Sequence, residues 1–180
     1  MDALRDTADL GEMVQYIVIK LGEERYGIPI KYINNIVKMQ QVTRIPKAEE
    51  YLRGVLNIRG EIVPVMSLRL RMEMEPDEIT DQTCIIILKP DELEIFGIII
   101  DAVDRVLTLG AKQIEKVSPG QNSNRKDAGF VSGVGKYEDG LVSILDLDAL
   151  RSNARKATRR IKKSNRRGCR VRGGNTRWQI

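Results

Sequence analysis

Few residues in this 180-residue chain have the types and spacing that chemistry requires. There is no histidine, which excludes a Ser-His-Asp or Cys-His relay and any histidine-bearing metal site. Cys84 lies in the apolar run CIIIL with no cationic neighbour in sequence to lower its pKa, so it reads as a small core or groove residue, not a nucleophile. The acid pairs Glu23 and Glu24, Glu49 and Glu50, and Asp91 and Glu92 fall in turns, where solvation accounts for them. No GxxxxGKS/T loop is present, and the Gly-x-Gly of Gly133 and Gly135 opens a strand, which leaves a phosphate without a helix N-terminus. These absences argue against an enzyme and against a cofactor or metal. What remains is a cation in an unexpected place: Arg59, inside GVLNIRGEIVPVMSL (54–68), a run otherwise almost entirely aliphatic.

Gly54, Asn57 and Gly60 break that run. VLNI and EIVPVM become strands, with Arg59-Gly60 as the turn, because Gly tolerates the positive φ of a tight turn. Pro64 cannot donate to a ladder, so the second strand is expected to be an edge or bulged there. Arg59 then sits at a hairpin end beside a core, able to satisfy backbone carbonyls or to bind a partner. Composition alone leaves both roles open.

The elements that would position these residues are mostly strands. VQYIVIKL (14–21) and RYGIPI (25–30) flank a short turn, and TCIIIL and EIFGIII repeat the arrangement around KPDEL. Helical periodicity is scarce: AEEYLRG and GAKQIEK offer a turn or two. Leu147, Leu150, Ala154, Ala157 and Ile161 predict an amphipathic C-terminal helix from about Asp146. An internal repeat organises the rest. GIPIKYINNIV (27–37) aligns without gaps on GIIIDAVDRVL (97–107) at an offset of 70, and IVPVMSL (62–68) aligns on LVSILDL (141–147) at 79. Two similar halves of about five short strands each predict an all-β protein of two small five-stranded barrels packed together, with short helices and the C-terminal helix.

Composition bounds the setting. Apolar residues make up 42% and charged residues 31%, as in a globular protein with a real core. The longest apolar runs are about five residues, short of the roughly 18 a membrane span needs. Residues 1–12 are polar and acidic, a flexible N-terminus without the basic start and apolar core of a secretory signal. Two cysteines make a poor disulfide framework and fit a reducing cytoplasm. The net charge of +5 is unevenly spread: residues 151–180 hold twelve Lys and Arg and no acid, which leaves eighteen basic and twenty-five acidic side chains, a net of −7, in residues 1–150. The body spans 13–150, and the tail from 151, a helix end followed by a polycation, is expected to be mostly disordered.

The ordered words YGI (26–28), VTRIP (42–46), GVLNIRG (54–60) with IVPV, FGIIIDAV (96–103) and GLVSILDL (140–147) resemble the CheW coupling proteins of bacterial chemotaxis over about residues 14–150. The resemblance implies two SH3-like barrels and a non-catalytic scaffold in the cytoplasm, recruited to membrane-associated receptor arrays. Its implied partners are chemoreceptor cytoplasmic tips and the histidine kinase CheA, bound through a CheA domain of the same fold. By the same resemblance a receptor helix hairpin lies in an apolar groove between the barrels, with Ile33, Asn35, Arg59, Cys84, Ile85 and Val106 on the groove side. Gly54, Asn57 and Gly60 would hold the turn that presents Arg59. Many members carry an acid at the position of Asn35 that pairs with the motif Arg. Here the side chain is a neutral amide, so Arg59 is expected to be more exposed. The thirty residues after Leu150 are too few for the receiver domain of the related CheV adaptors. A rival reading from another class is nucleic-acid binding by the basic tail. With 4% aromatics and an acidic body, that binding would be non-specific and confined to the tail, which could equally meet another anionic surface.

Overall fold

A computed structural model describes residues 11–118 and 129–151, with residues 159 and 163. Eleven strands among them form two sheets: β1 (Met13–Leu21), β2 (Glu24–Pro29), β3 (Ile33–Lys38), β4 (Leu52–Ile58), β5 (Glu61–Ser67), β6 (Cys84–Asp91), β7 (Glu94–Ile100), β8 (Ala102–Gly110), β9 (Ile114–Lys116), β10 (Val131–Tyr137) and β11 (Gly140–Leu145). Sheet I has the order β8-β1-β2-β11-β10-β9, and sheet II the order β3-β6-β7-β5-β4. The all-β, two-barrel expectation holds, with a sixth, three-residue strand in sheet I.

The halves of the repeat do not each build one barrel. β2 lies in sheet I, but the chain crosses through a 3-10 turn at Ile30–Tyr32 and β3 joins sheet II. Seventy residues on, β7 lies in sheet II and β8 crosses to sheet I. Each barrel therefore takes a hairpin from the other half: β1–β2 joins β8–β11 in sheet I, and β6–β7 joins β3–β5 in sheet II. Each also contains one parallel pair, β2 with β11 and β5 with β7, where the halves meet. The repeat glycines serve those junctions: a Cβ on Gly27 would lie 3.0 Å from Ile144, and one on Gly97 would lie 2.9 Å from Ile85 and 3.3 Å from Val65.

Alternation along the strands sorts the apolar residues into three clusters. Tyr16, Val18, Leu109, Val142 and Ile144 fill barrel I. Leu56, Val63, Val65, Ile85, Ile87 and Ile99 fill barrel II. The intervening residues, among them Ile19, Leu21, Tyr26, Ile28, Ile86, Leu88, Phe96, Ile98 and Ile100, form the largest cluster, between the sheets. The unbroken runs CIIIL and FGIII arise because β6 and β7 are buried on both faces.

The local readings divide. Pro64 is in an inner strand, but pairing with β7 begins only at Val65, so its missing donor costs no ladder bond to β7. GAKQIEK gives one 3-10 turn (Ala111–Gln113) and then β9, because Ile114 pairs with Gly135. AEEYLRG is a turn leading into β4. A helical turn absent from the sequence reading, α1 (Leu68–Arg71), follows β5 and is capped by Ser67, whose Oγ accepts from the Leu70 amide at 3.1 Å. The C-terminal helix, α2, starts at residue 147, with Asp146 Oδ1 accepting from the amides of Asp148 and Ala149. Leu147 and Leu150 seat it in the shared core. Ala154, Ala157, Ile161 and nearly all of the tail and of residues 1–12 lie outside the described residues.

Gly54 is not part of the hairpin turn but sits within β4, at φ 151°. Its role is closure of barrel II. The chain after β3 returns to β4 through a bridge in which Thr43 and Val55 exchange backbone hydrogen bonds of 2.9 and 2.8 Å, and a Cβ on Gly54 would stand 2.3 Å from the Thr43 carbonyl oxygen. Gly54→Ala is expected to lower unfolding free energy by about 2 kcal/mol or more, measured by denaturant titration, because strain and a backbone clash coincide. Gly60→Ala, with open space around it at φ 86°, should cost about 1–2 kcal/mol.

The second crossover is pinned by charge. Asp101, between β7 and β8, accepts from Arg69 Nε at 2.8 Å, from Arg69 Nη2 at 2.5 Å and from the Gly22 amide at 2.7 Å. One carboxylate thus ties α1, the β1–β2 turn and the crossover. Burial alone would raise its pKa, but the bonds from Arg69 and Gly22 prevail and hold it below the ordinary aspartate value. A carboxylate lowered in the folded state stabilises fully above its unfolded pKa, and that stabilisation is lost as pH falls through the folded one. Asp101→Asn is expected to cost about 1.5–3 kcal/mol at neutral pH. The difference from the parent chain should shrink as pH falls below about 4, followed by thermal melts across pH.

Candidate interaction surface

Strand register decides which side chains reach the space between the barrels. On β6, Cys84, Ile86 and Leu88 face the shared core, whereas Ile85 and Ile87 point into barrel II. β3 pairs Ile33 with Leu88, Ile36 with Ile86 and Lys38 with Cys84, so Ile33 and Ile36 face the seam as well. On the other side β8 pairs Val106 with Ile17 and Val103 with Ile19, both seam-facing positions of β1. β3 and β8, the first strands after the two crossovers, are the outermost strands on their sides of the two sheets, and both turn apolar residues toward the seam.

The seam is not the open groove the resemblance implied. Its depth is filled by the chain's own side chains, and only its margin beside β3 and β8 is open. There Val106 is 55% exposed, Val103 40% and Ile36 38%, while Ile33, Ile17 and Cys84 are half-buried against the shared core. Exposed aliphatic residues on one face of a sheet edge, backed by a rigid core, form a patch that a partner can cover.

The anticipated site residues separate accordingly. Ile33, Cys84 and Val106 lie on the seam face. Ile85 does not: at 0% exposure it is core of barrel II, because an odd-numbered position on β6 faces the barrel interior. Asn35 lies across from Ile87 rather than from a seam residue; it is exposed, and its Oδ1 accepts from the next amide, Ile36, at 2.8 Å. Ile36, Val103 and Ile17 were missed, although the repeat alignment had already matched Ile33 with Val103 and Ile36 with Val106. Burial pushes the Cys84 thiol pKa up, which makes it a poor nucleophile, as its sequence context suggests.

Arg59 occupies the two-residue turn between Ile58 and Glu61 with φ 52°, followed by Gly60 at φ 86°. Two successive positive φ values match the right-handed twist of the hairpin, and only the second is at Gly. Asn57 makes the turn tolerable, its Oδ1 accepting from the Gly60 amide at 2.9 Å. Asn57 and Gly60 thus hold Arg59 outward. Its side chain is exposed and, among the described residues, has no hydrogen bond or ion pair, to Asn35 or to any other group. The parallel register of β5 with β7 places this tip at the same end of barrel II as the β6–β7 turn and the start of β3. The equivalent hairpin of barrel I ends at Glu138 and Asp139, with Asp139 3.1 Å from Arg105 of β8. The aligned positions of the repeat after the two turns are both exposed: Ile62 at 48% and Leu141 at 60%.

Among the described residues no cluster of His, Cys, Asp or Glu is arranged to hold a metal ion, and no helix is long and apolar enough to cross a membrane. The class defined here is an all-β module of two interleaved barrels with an exposed apolar margin. Comparison with known proteins gives the family. The model of the CheW-like domain matches residues 15–155. The chemotaxis protein CheW of Bacillus subtilis is 33% identical over 80% of this chain and 90% of its own length, and that of Helicobacter pylori is 31% identical over 79% and 84%. The crystal structure of the scaffolding protein TtCheW from Thermoanaerobacter tengcongensis superposes with a TM-score of 0.68 at 30% identity, covering 75% of this chain and 90% of that one. The chain belongs to the CheW family of chemotaxis proteins.

If Arg59 is held outward by Asn57 rather than by a charged partner, Asn57→Ala should lower stability by about 1 kcal/mol. Arg59→Gly should be neutral or stabilising, since it relieves positive φ at an unpaired side chain; denaturant titration of both variants checks this.

Proposed function

We propose that this chain is a non-catalytic coupler that joins the cytoplasmic tips of chemoreceptors to the histidine kinase CheA and so places kinase activity under receptor control in the cytoplasm, at membrane-associated arrays. The observation that carries this reading is that β3 and β8, the outermost strands on their sides of the two sheets, each turn aliphatic residues with solvent exposure to the seam, Ile33 and Ile36 on one and Val103 and Val106 on the other. A helix presenting apolar residues at helical spacing fits a patch of that kind, and Arg59 at the nearby barrel end can meet a receptor carboxylate or helix C-terminus.

A coupler needs a second surface, because coupling is a free energy between two sites. The barrel ends supply it. Barrel I, which holds four strands from the second half, ends in a hairpin bearing exposed Leu141, and we assign the kinase contact to that end. Leu141 is on β11, three strands from β8 in sheet I, so the two contacts use different strands.

Val106→Asp and Ile36→Asp change exposed positions and should leave the fold intact while weakening binding of a receptor cytoplasmic fragment at least about tenfold. Arg59→Ala should weaken it less, and Leu141→Asp should impair CheA binding with receptor binding unchanged. Co-sedimentation of the three proteins, scored for kinase activity, reads all four variants; equal regulation of the kinase without this chain would defeat the proposal.

A further inference from the structure

We infer that barrel I carries a binding site for a small zwitterion with an aliphatic body, a free aliphatic α-amino acid, at the end where its sheet does not close. β8 and β9 are the two outer strands of sheet I and do not pair with each other; the 3-10 turn at Ala111–Gln113 links them. At that end lies a cavity of about 370 Å³, within the range of about 300 to about 1,000 Å³ of pockets that hold small molecules. Tyr16, Leu109 and Ile144 line it from the barrel core, and the half-buried Val14 and Ile114 flank them. The link brings to the cavity only the methyl group of exposed Ala111, too little to cover that core.

Two charges of opposite sign select the ligand. Glu12, just before β1, and Lys116, in β9, also line the cavity. Both are exposed, and among the described residues neither side chain has a hydrogen bond or ion pair. Ser132 Oγ, the remaining polar group, donates to the Ile144 carbonyl oxygen at 3.3 Å, so its proton is committed within the chain. A ligand that meets both free charges carries an ammonium group for Glu12 and a carboxylate for Lys116, and its aliphatic part covers apolar surface of Val14 and Ile114. A phosphate is the poorer fit, because a single cation attracts it and Glu12 repels it. A fatty acid leaves Glu12 unmatched. The site is separate from the contacts proposed above: Ser132 and Ile144 lie at the ends of β10 and β11 remote from the turn that precedes Leu141, and Val14 and Tyr16 face the barrel interior, not the seam.

L-Leucine is the probe, titrated into the full chain with isotope-labelled methyl groups and followed by NMR. Saturable shifts are expected at Val14, Ile114 and Ile144, with a Kd of about 1 mM or tighter. Isocaproate, which lacks the amino group, isoamylamine, which lacks the carboxylate, and glycine, which lacks the aliphatic body, should each bind at least about threefold more weakly. Glu12→Gln and Lys116→Gln change exposed positions and should each weaken leucine binding about threefold or more, with the spectrum of the free chain retained. Ala111→Phe, which fills the cavity from the link, should abolish it. Absence of saturable shifts at those methyl groups in the parent chain, unchanged leucine affinity in both Gln variants, or isocaproate or isoamylamine binding as tightly as leucine would each overturn the inference.

Discussion

The apolar layer between the two sheets is the constraint on which the rest of the structure depends. It draws side chains from β1, β2, β6, β7, α1 and α2, and it exists because the β1–β2 and β6–β7 hairpins are exchanged between the two halves of the chain. The exchanged hairpins commit each sheet to the other: neither can be assembled from one half of the chain alone. Burial on both faces of β6 and β7 makes those strands the most hydrophobic of the chain, and the roughly 25 cal/mol gained per Å² of apolar surface removed from water accrues to the pair and not to either barrel singly. The Arg69–Asp101 ion pair and the stacking of Arg71 between the rings of Tyr51 and Phe130, 5.0 and 4.4 Å away, add polar fastening at the rim of this layer.

The same exchange explains the exposed margin. A sheet's outermost strand has a neighbour on one side only, so seam-facing residues of β3 and β8 keep solvent on the other side. Residues one strand further in, such as Ile86 and Ile19, are covered completely. Two outer strands with partly exposed aliphatic residues beside a covered core are therefore a consequence of topology, and the function proposed for the chain uses what the topology leaves uncovered.

The sequence made much of this legible. Hairpins at β1–β2, β4–β5 and β6–β7 followed from turn residues, and the repeat pointed to two barrels because its aligned blocks carry the same aliphatic positions. What it concealed was the destination of β3 and β8: Ile30–Tyr32 and Asp101 look like ordinary short links, and nothing local says that the chain changes sheets there. The error about Ile85 has the same root. In CIIIL all positions are apolar, so alternation carries no contrast, and only cross-strand register tells Ile85 from Ile86. Gly54 was read as turn chemistry because its partner, the Thr43 carbonyl, approaches from outside the hairpin. Asn57, Arg59 and Gly60 were legible because their interaction closes within four residues.

Native-state amide hydrogen exchange tests the central claim, that the two barrels form one cooperative body through their shared layer. Amides of β1 and β2 in sheet I and of β6 and β7 in sheet II should exchange through a single opening, with a common free energy and a common denaturant dependence. Opening of one sheet at a clearly lower free energy while the other stays protected would contradict it.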